Sequence, residues 1–368
     1  MRFGARLNPL LTAKIVTLFV ALTGFAGSVW AMPAPLCSEL WGYEQGAQGR
    51  VSKYVHAKTP YSANLLEKHL ETIDNLLGPL ARPKEAKVTI GSVYTRSVSD
   101  FATFEIYVGI RSDVDSAGKI IPPEKNLATL SHEYGHLILE KNLVENLESY
   151  RQIKPNFVLV GVARNALRDL TQASKELTAR KEATQDPIEK QTLENALQVL
   201  TLKMKAISTE ADRVQKITNT AMALHEFFSD VVATVRHKDP QAIAYMVTDY
   251  QTPAKENSYQ ELIIRDFSPK DHAAHEKAWE EQRPWASFTN DPYFVMLPSR
   301  WEFWQLVKNK INDPNYRSQI IPKVYKAVEK VMSEALTWTP EQIQGVKLTK
   351  EQMSLLNQRL IEELKASL

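Results

Sequence analysis

Two long apolar stripes fill the middle of the chain, between residues 157 and 217. In each stripe the apolar residues recur at intervals of three and four, which places their side chains along one face of an α-helix. The first stripe occupies residues 160–177 and the second residues 193–214, with Asp186 and Pro187 marking a turn between them. Two such helices can bury their stripes against each other. The sequence therefore predicts an antiparallel helical hairpin of the coiled-coil type.

Residues 1–31 have the pattern of a signal peptide, because basic residues precede an apolar run that ends in small side chains. Cleavage is expected after Ala31, with a weaker alternative near Ala34. The other interpretation is a retained membrane anchor, since the run approaches the ~18 residues at which a helix can span a bilayer. The first interpretation predicts export to the periplasm or the cell exterior, and no stable membrane insertion afterwards.

The charge balance gives no indication of a nucleic-acid partner, and the single cysteine excludes a fold stabilised by internal disulfides. The chain has 45 basic and 43 acidic side chains, so nothing in its net charge predicts a nucleic-acid partner. Cys37 is the only cysteine, and no disulfide can therefore form within the chain. Stability is expected to come from packing and from bound metal. The oligomeric state is not predicted.

The regions on either side of the hairpin predict an α+β fold. A helix is expected over residues 62–77, strands over 86–96 and 101–111, and a buried helix over 124–150. Two further amphipathic helices are expected near the carboxyl terminus. The predicted division has four parts, which are the signal peptide, an N-terminal lobe at 32–150, the hairpin insertion at 151–218 and a mostly helical lobe at 219–368.

The predicted buried helix carries the sequence HEYGH, with His132 and His136 four residues apart. On a helix both imidazoles project from one face about one turn apart, so together they can bind one Zn²⁺. Glu133 follows the first histidine. Zinc lowers the pKa of a bound water toward ~7, and a carboxylate beside that water can accept its proton during attack on a carbonyl. Glu133 is thus the candidate general base.

A catalytic zinc site needs a third protein ligand and an open fourth position. Metzincins are excluded, because Leu139 and Asn142 stand where that class has glycine and histidine. Glu226 and Asp230 lie four apart in LHEFFSDVVA, a second amphipathic segment. Glu226 is the candidate third ligand, and Asp230 can accept a hydrogen bond from the other nitrogen of a ligating histidine. Glu140, one turn after His136, is the rival ligand.

The pair HEYGH and HEFFSD resembles the gluzincin class of metallopeptidases, the group that includes thermolysin. In that class HExxH is followed by a helix carrying ExxxD. The resemblance implies that His132, His136 and Glu226 bind zinc, that Glu133 is the base, and that Asp230 supports a ligand. It covers two short segments, and ninety positions separate His136 from Glu226. The predicted hairpin accounts for that long separation.

The resemblance also implies a donor from outside the two metal helices that stabilises the oxyanion of the transition state. Tyr293 and Arg300, in the aromatic segment DPYFVMLPSRW, are the first candidates. His272 and His275 are rivals, although their spacing is also typical of a solvated helix face. His225, beside Glu226, is expected to be structural.

Taken together, the sequence predicts an exported zinc-dependent metallopeptidase with a zincin-like fold. A small β-sheet would pack on the active-site helix, with the metal between it and a mostly helical lobe. If the strand FATFEIYVGI were the sheet edge, a peptide or protein substrate could pair with it. The alternatives are a secreted binding or structural protein with a non-catalytic zinc site, and a zinc amidase acting on a non-protein substrate.

Overall fold

The computed structural model shows a mostly helical chain with one small mixed sheet, which confirms the predicted α+β class. Residues Tyr43–Leu368 form one compact unit. The structure describes residues 43–54, 62–91, 98–100, 103–109, 123–243, 265–269, 272–281, 292–337 and 348–368. The predicted signal peptide lies outside these residues. Among the helices described, none is both long enough and apolar enough to cross a bilayer.

The sheet has five strands, in the order β1-β2-β3-β5-β4. They are β1 (Tyr43–Gln45), β2 (Val51–Tyr54), β3 (Lys87–Gly91), β4 (Val98–Asp100) and β5 (Glu105–Gly109). Strands β2, β3 and β5 are parallel neighbours, whereas β1 and β4 pair antiparallel at the two edges. The strand expected from FATFEIYVGI is β5, and its possible place at the sheet edge is wrong, because β3 and β4 flank it. Among the described strands, β1 and β4 are at the edges.

Helix α1 (Ala63–Asp74) occupies the position of the first predicted helix. The Ser62 side chain caps it by accepting a hydrogen bond from the backbone N–H of Leu65. Its apolar face is buried, and so is Glu67, whose carboxylate accepts hydrogen bonds from the backbone N–H groups of Arg50 and Val51. Helix α1 is thereby tied to the start of β2.

Three consecutive helices position the candidate site. Helix α2 (Pro123–Asn146) carries HEYGH, α3 (Glu148–Ala183) leads away from it, and α4 (Pro187–His237) returns. The turn between α3 and α4 lies where Asp186 and Pro187 predict it, and Asp186 caps α4. The predicted domain boundaries at residues 151 and 218 are not breaks in the structure, because each falls inside a continuous helix. The second hairpin arm and the segment HEFFSD belong to the same 51-residue helix.

Helices α2 and α4 approach very closely at Gly135, the glycine of HEYGH. A Cβ atom added to Gly135 would lie 2.7 Å from the Cα atom of Ser229. Side chains of normal size at these two positions would hold the helices apart. Because Ser229 is three residues after Glu226, this close contact brings the glutamate helix against the histidine helix.

Gly135→Ala is expected to reduce the free energy of unfolding by about 1–3 kcal/mol, since the added methyl group meets main chain that cannot move aside cheaply. It should also weaken metal binding, because any separation of the helices moves Glu226 away from the histidines. Thermal unfolding and a chelator competition measure the two effects. Gly161→Ala on α3 is the matched control. An alanine Cβ there meets nothing within 4 Å, so this variant should gain about 0.5–1 kcal/mol.

The carboxyl-terminal helices pack around α2 and α4 and complete the core. The remaining helices are α5 (His272–Glu280), α6 (Pro292–Val295), α7 (Leu297–Val307), α8 (Pro314–Ala335) and α9 (Lys350–Ser367). Helix α8 packs on α4 through Tyr325, whose ring meets the Phe228 ring edge-on at 6.5 Å. Helix α9 begins with a capping box of Thr349 and Gln352. The two helices predicted near the carboxyl terminus are confirmed as α8 and α9.

Candidate metal centre

The structure brings His132, His136 and Glu226 together as a buried group with metal-binding geometry. The Nε2 atoms of the two histidines are 3.0 Å apart, and Glu226 Oε2 lies 3.2 Å from the first and 3.6 Å from the second. Two ligand atoms placed ~2.1 Å from a tetrahedral zinc are separated by ~3.4 Å. The three observed distances bracket that value. A single zinc ion therefore fits between these atoms.

The site shifts the pKa values of two of these groups in opposite directions. Burial would raise the pKa of Glu226, but the charge of His136 and the contact with His132 outweigh it and hold that pKa well below its usual range. Burial and Arg265 would lower the pKa of His132, but Asp230 and Glu226 raise it to about 9. The close packing of imidazole and carboxylate groups is the cause of both shifts.

Asp230 supports His132 from the side away from the other ligands. Its Oδ1 atom lies 2.9 Å from Nδ1 of His132, and its side chain is fully buried. An Nδ1–H group that donates to a carboxylate leaves the Nε2 lone pair directed at the metal position. The geometry thus gives Asp230 the contact that the sequence predicts for it.

Arg300 lies behind the metal ligands rather than beside the metal position. Its Nε atom donates to Asp230 Oδ2 at 2.9 Å, its Nη2 atom lies 2.8 Å from the same oxygen as an ion pair, and the residue is 0 % exposed. A side chain enclosed in this way cannot donate to a substrate oxyanion in the structure observed. The prediction for Arg300 is therefore corrected, and its role here is to neutralise the buried Asp230. Burial would raise the pKa of Asp230, but Arg265 and Arg300 lower it far below its usual range.

Arg265, which the sequence analysis missed, reaches the metal ligands themselves. It bonds Asp230 through Nε at 3.1 Å, and its Nη2 atom lies 3.0 Å from His132 Nε2 and 3.6 Å from Glu226 Oε2. It belongs to a short irregular segment, residues 265–269, with no motif or periodic pattern around it. Only the folded chain brings it to the site.

Glu133 is the least enclosed of the site's glutamates, with 8 % of its surface exposed against 5 % for Glu226. Among the described residues no hydrogen bond or ion pair engages its carboxylate. By contrast, the carboxylate of Asp230 is shared between His132 and two arginines. The Glu133 carboxylate thus has no competing partner among the described residues.

Glu140, the rival third ligand, is turned away from the metal position. It is fully buried, accepts a hydrogen bond from the Tyr150 hydroxyl at 2.6 Å, and forms an ion pair with Lys154. His225 joins this second cluster, with Nε2 3.2 Å from the Tyr150 oxygen. Burial and the charge of His136 lower the pKa of His225 to about 3, so it stays neutral. This cluster, formed by Glu140, Tyr150, Lys154 and His225, links helices α2, α3 and α4.

The other donor candidates lie apart from this cluster or are not described. Tyr293 lies in α6, but its side chain is outside the described residues, as is that of His275. His272 begins α5, is exposed, and packs edge-on against Trp301 with ring centroids 4.7 Å apart. This contact is typical of a helix face that covers an aromatic side chain.

Asp230→Asn is expected to weaken zinc binding by about 10–100-fold, because it loosens the hold on His132. It should also cost about 3–5 kcal/mol of stability, since it leaves the buried Arg300 without a countercharge. Chelator competition and chemical denaturation measure the two effects separately. Asp212→Asn is the control, because Asp212 lies further along α4 in a partly exposed ion pair with Arg164, and it should change neither quantity by more than ~0.5 kcal/mol. Unchanged zinc affinity would remove Asp230 from the metal centre.

Comparison with known proteins finds no family model, no curated protein and no solved structure that matches this chain. The interpretation of the site therefore depends on its own geometry and on the two motifs.

Proposed function

We propose that this protein is a zinc-dependent metallopeptidase that hydrolyses peptide bonds. The observation that carries the proposal is the group of three ligand atoms within 3.6 Å of one another, next to a glutamate that no other described residue engages. Glu226 Oε2 is also shielded from solvent and has no well-formed hydrogen bond, although two imidazole nitrogens and the Arg265 guanidinium lie beside it.

The donor set suits zinc in particular. Two imidazole nitrogens and one carboxylate oxygen, with an open fourth position, form a recurrent catalytic zinc site. Bound there, zinc would supply Lewis acidity and lower the pKa of a coordinated water toward ~7. His132, His136 and Glu226 would hold the ion, and Asp230 would fix the orientation of His132.

The remaining steps belong to side chains of this chain. Glu133 would accept the proton of the attacking water and pass it to the leaving amine. Arg265 replaces Arg300 as the candidate donor to the oxyanion, because its guanidinium lies beside the ligand atoms while Arg300 is enclosed behind them. Tyr293 stays a prediction.

A zincin-like arrangement also suggests where a peptide would lie. The edge strand β4 packs near α2, the helix that carries the two histidines. One side of β4 pairs with β5, and a substrate in extended conformation could pair with the other side. We propose β4 in this role, in place of β5.

A non-catalytic zinc site is the main alternative, and the geometry disfavours it. Structural zinc sites are closed by four protein ligands, whereas the described residues place three around the metal position. A glutamate without a partner has no use in such a site. A zinc amidase acting on a non-protein substrate would share every ligand, so only substrate tests separate it from a peptidase.

The purified chain tests the proposal directly. We expect one zinc per chain by native mass spectrometry and hydrolysis of a mixed peptide library, with both lost after chelation and restored by zinc. Zinc without hydrolysis of any peptide would favour the amidase or the structural site. A chain that binds no zinc would overturn the proposal.

A further inference from the structure

A second group of polar residues lies where helices α1, α4 and α8 meet, and its members are two arginines and two histidines. Arg236 and His237 end α4, Arg317 lies in the first turns of α8, and His69 lies on α1. The rings of His69 and His237 are 5.5 Å apart. Arg236 is ten residues after Glu226, or ~15 Å along the helix axis. The two arginines are therefore distant from the candidate ligands, although His69 and His237 both contact Ser131, the residue before His132.

The packing of α4 on α8 brings Arg236 level with Arg317. Phe228 of α4 contacts Tyr325 of α8. Eight residues later on α4 and eight residues earlier on α8 are Arg236 and Arg317, which lie at the same level when the two helices run antiparallel. Burial and then the nearby charge of Arg317 lower the pKa of Arg236, which agrees with this register.

Neither arginine is neutralised within the described part of the chain. No hydrogen bond or ion pair engages either guanidinium there, and the Nε atom of each is buried without a partner. The nearest acidic residues in sequence have other roles, because Asp239 accepts from the backbone N–H of Gln241 and Asp313 caps α8. A buried donor without an acceptor is costly, and more so when it carries charge.

The helix dipoles explain one of these two charges and not the other. Arg236, in the last turn of α4, lies near the partial negative charge of a helix carboxyl terminus. Arg317 is the fourth residue of α8 and so lies near the partial positive charge of its amino terminus. A cation is unfavourable at that end, whereas an anion is favourable. The carboxylate of Asp313 caps this end of α8, but no ion pair joins it to the Arg317 guanidinium.

His69 lies beside the group and adds no charge to it. Its Nε2 atom lies 2.7 Å from Ser131 Oγ, and that hydroxyl donates to the Leu127 carbonyl oxygen. Nε2 of His69 is therefore the donor, and its buried Nδ1 atom is a lone-pair acceptor without a partner. Burial, followed by Arg236 and His237, lowers the pKa of His69 to about 3.

We propose that Arg236 and Arg317 form a binding site for an oxyanion, a phosphate or a carboxylate group, bordered by His69. Guanidinium groups bind both anions through paired N–H donors. Both arginines are partly exposed, so a ligand can reach them from solvent. The ligand would supply the negative charge that the described protein residues do not.

Calorimetric titration with inorganic phosphate or with acetate, at constant ionic strength set by sodium chloride, tests the site. We expect saturable binding of at least one of these anions. Arg236→Gln and Arg317→Gln should each weaken it by about 10-fold or more, because each removes a charged hydrogen-bonding partner. Arg213→Gln is the control, since Arg213 lies on the same helix and is paired with Glu210. Binding of phosphate alone or of acetate as well decides which anion the site takes.

Two further measurements make the outcome decisive. Phosphate bound at the metal would be lost in Glu226→Gln, whereas binding at the arginines should persist in that variant. In chloride, Arg317→Gln should melt at or above the parent temperature, because it removes repulsion between cations, and the parent should gain stability over it as phosphate is added. No saturable binding, binding lost in Glu226→Gln, or Arg317→Gln less stable than the parent in chloride would each overturn the proposal.

Discussion

Glu133→Gln is expected to retain one zinc per chain and to lose about 10³-fold or more in peptide hydrolysis. Glutamine keeps the size of the side chain and cannot accept the proton of the attacking water. The three ligand atoms belong to other residues, so the metal should stay bound with its affinity little changed. Rates on one fluorogenic peptide and zinc content by mass spectrometry give the two quantities.

The control for this change is Glu145→Gln, an exposed glutamate near the end of the same helix. It should keep full activity. If Glu133→Gln instead hydrolysed peptide at the parental rate, Glu133 would not be the base. If the variant lost its zinc, Glu133 would be needed for the metal itself, and the assigned roles would have to change.

Glu226→Gln is expected to lose zinc binding by more than the ~10–100-fold that indirect contacts to a ligand contribute. The amide keeps the shape of the side chain, but it removes the negative charge that offsets the metal and the only carboxylate among the three ligands. The Nε2 atoms of His132 and His136 would then hold the ion alone. A competition titration with a chromogenic chelator measures the change.

Glu140→Gln separates the two buried glutamates of the metal helices. Its carboxylate is bound to Tyr150 and Lys154, so this variant should keep its zinc affinity while losing stability. Circular dichroism establishes that each variant is folded before zinc is added. Zinc lost in Glu140→Gln and kept in Glu226→Gln would move the third ligand to Glu140.

Much of this arrangement can be predicted from the sequence because it depends on local spacing. Two ligands four residues apart on one helix are neighbours regardless of how that helix packs. Two helices with apolar stripes of matching length can pack against each other. The sequence thus indicates His132, His136 and the hairpin from periodicity alone. Glu226 needs one further step, the return of the chain through the hairpin.

Other features depend on contacts between residues far apart in the chain, which periodicity does not carry. Arg265 and Arg300 both form hydrogen bonds to Asp230, although neither belongs to a motif. Tertiary packing decides which of the two lies beside the candidate metal ligands. Strands β1, β2 and β4 were not predicted, because they are three or four residues long and lack a clear apolar alternation. The place of β5 inside the sheet is likewise set by its neighbours.

The long helix α4 can tilt about its close contact with α2, which is formed by Gly135 and Ser229. Glu226 lies three residues from that contact, or ~4.5 Å, whereas the hairpin tip at Pro187 lies 42 residues away, or ~63 Å for a straight helix. A tilt that swings the tip by ~10 Å would therefore shift Glu226 by less than ~1 Å. The outer end of the hairpin can therefore tilt while the candidate metal ligands hold their spacing.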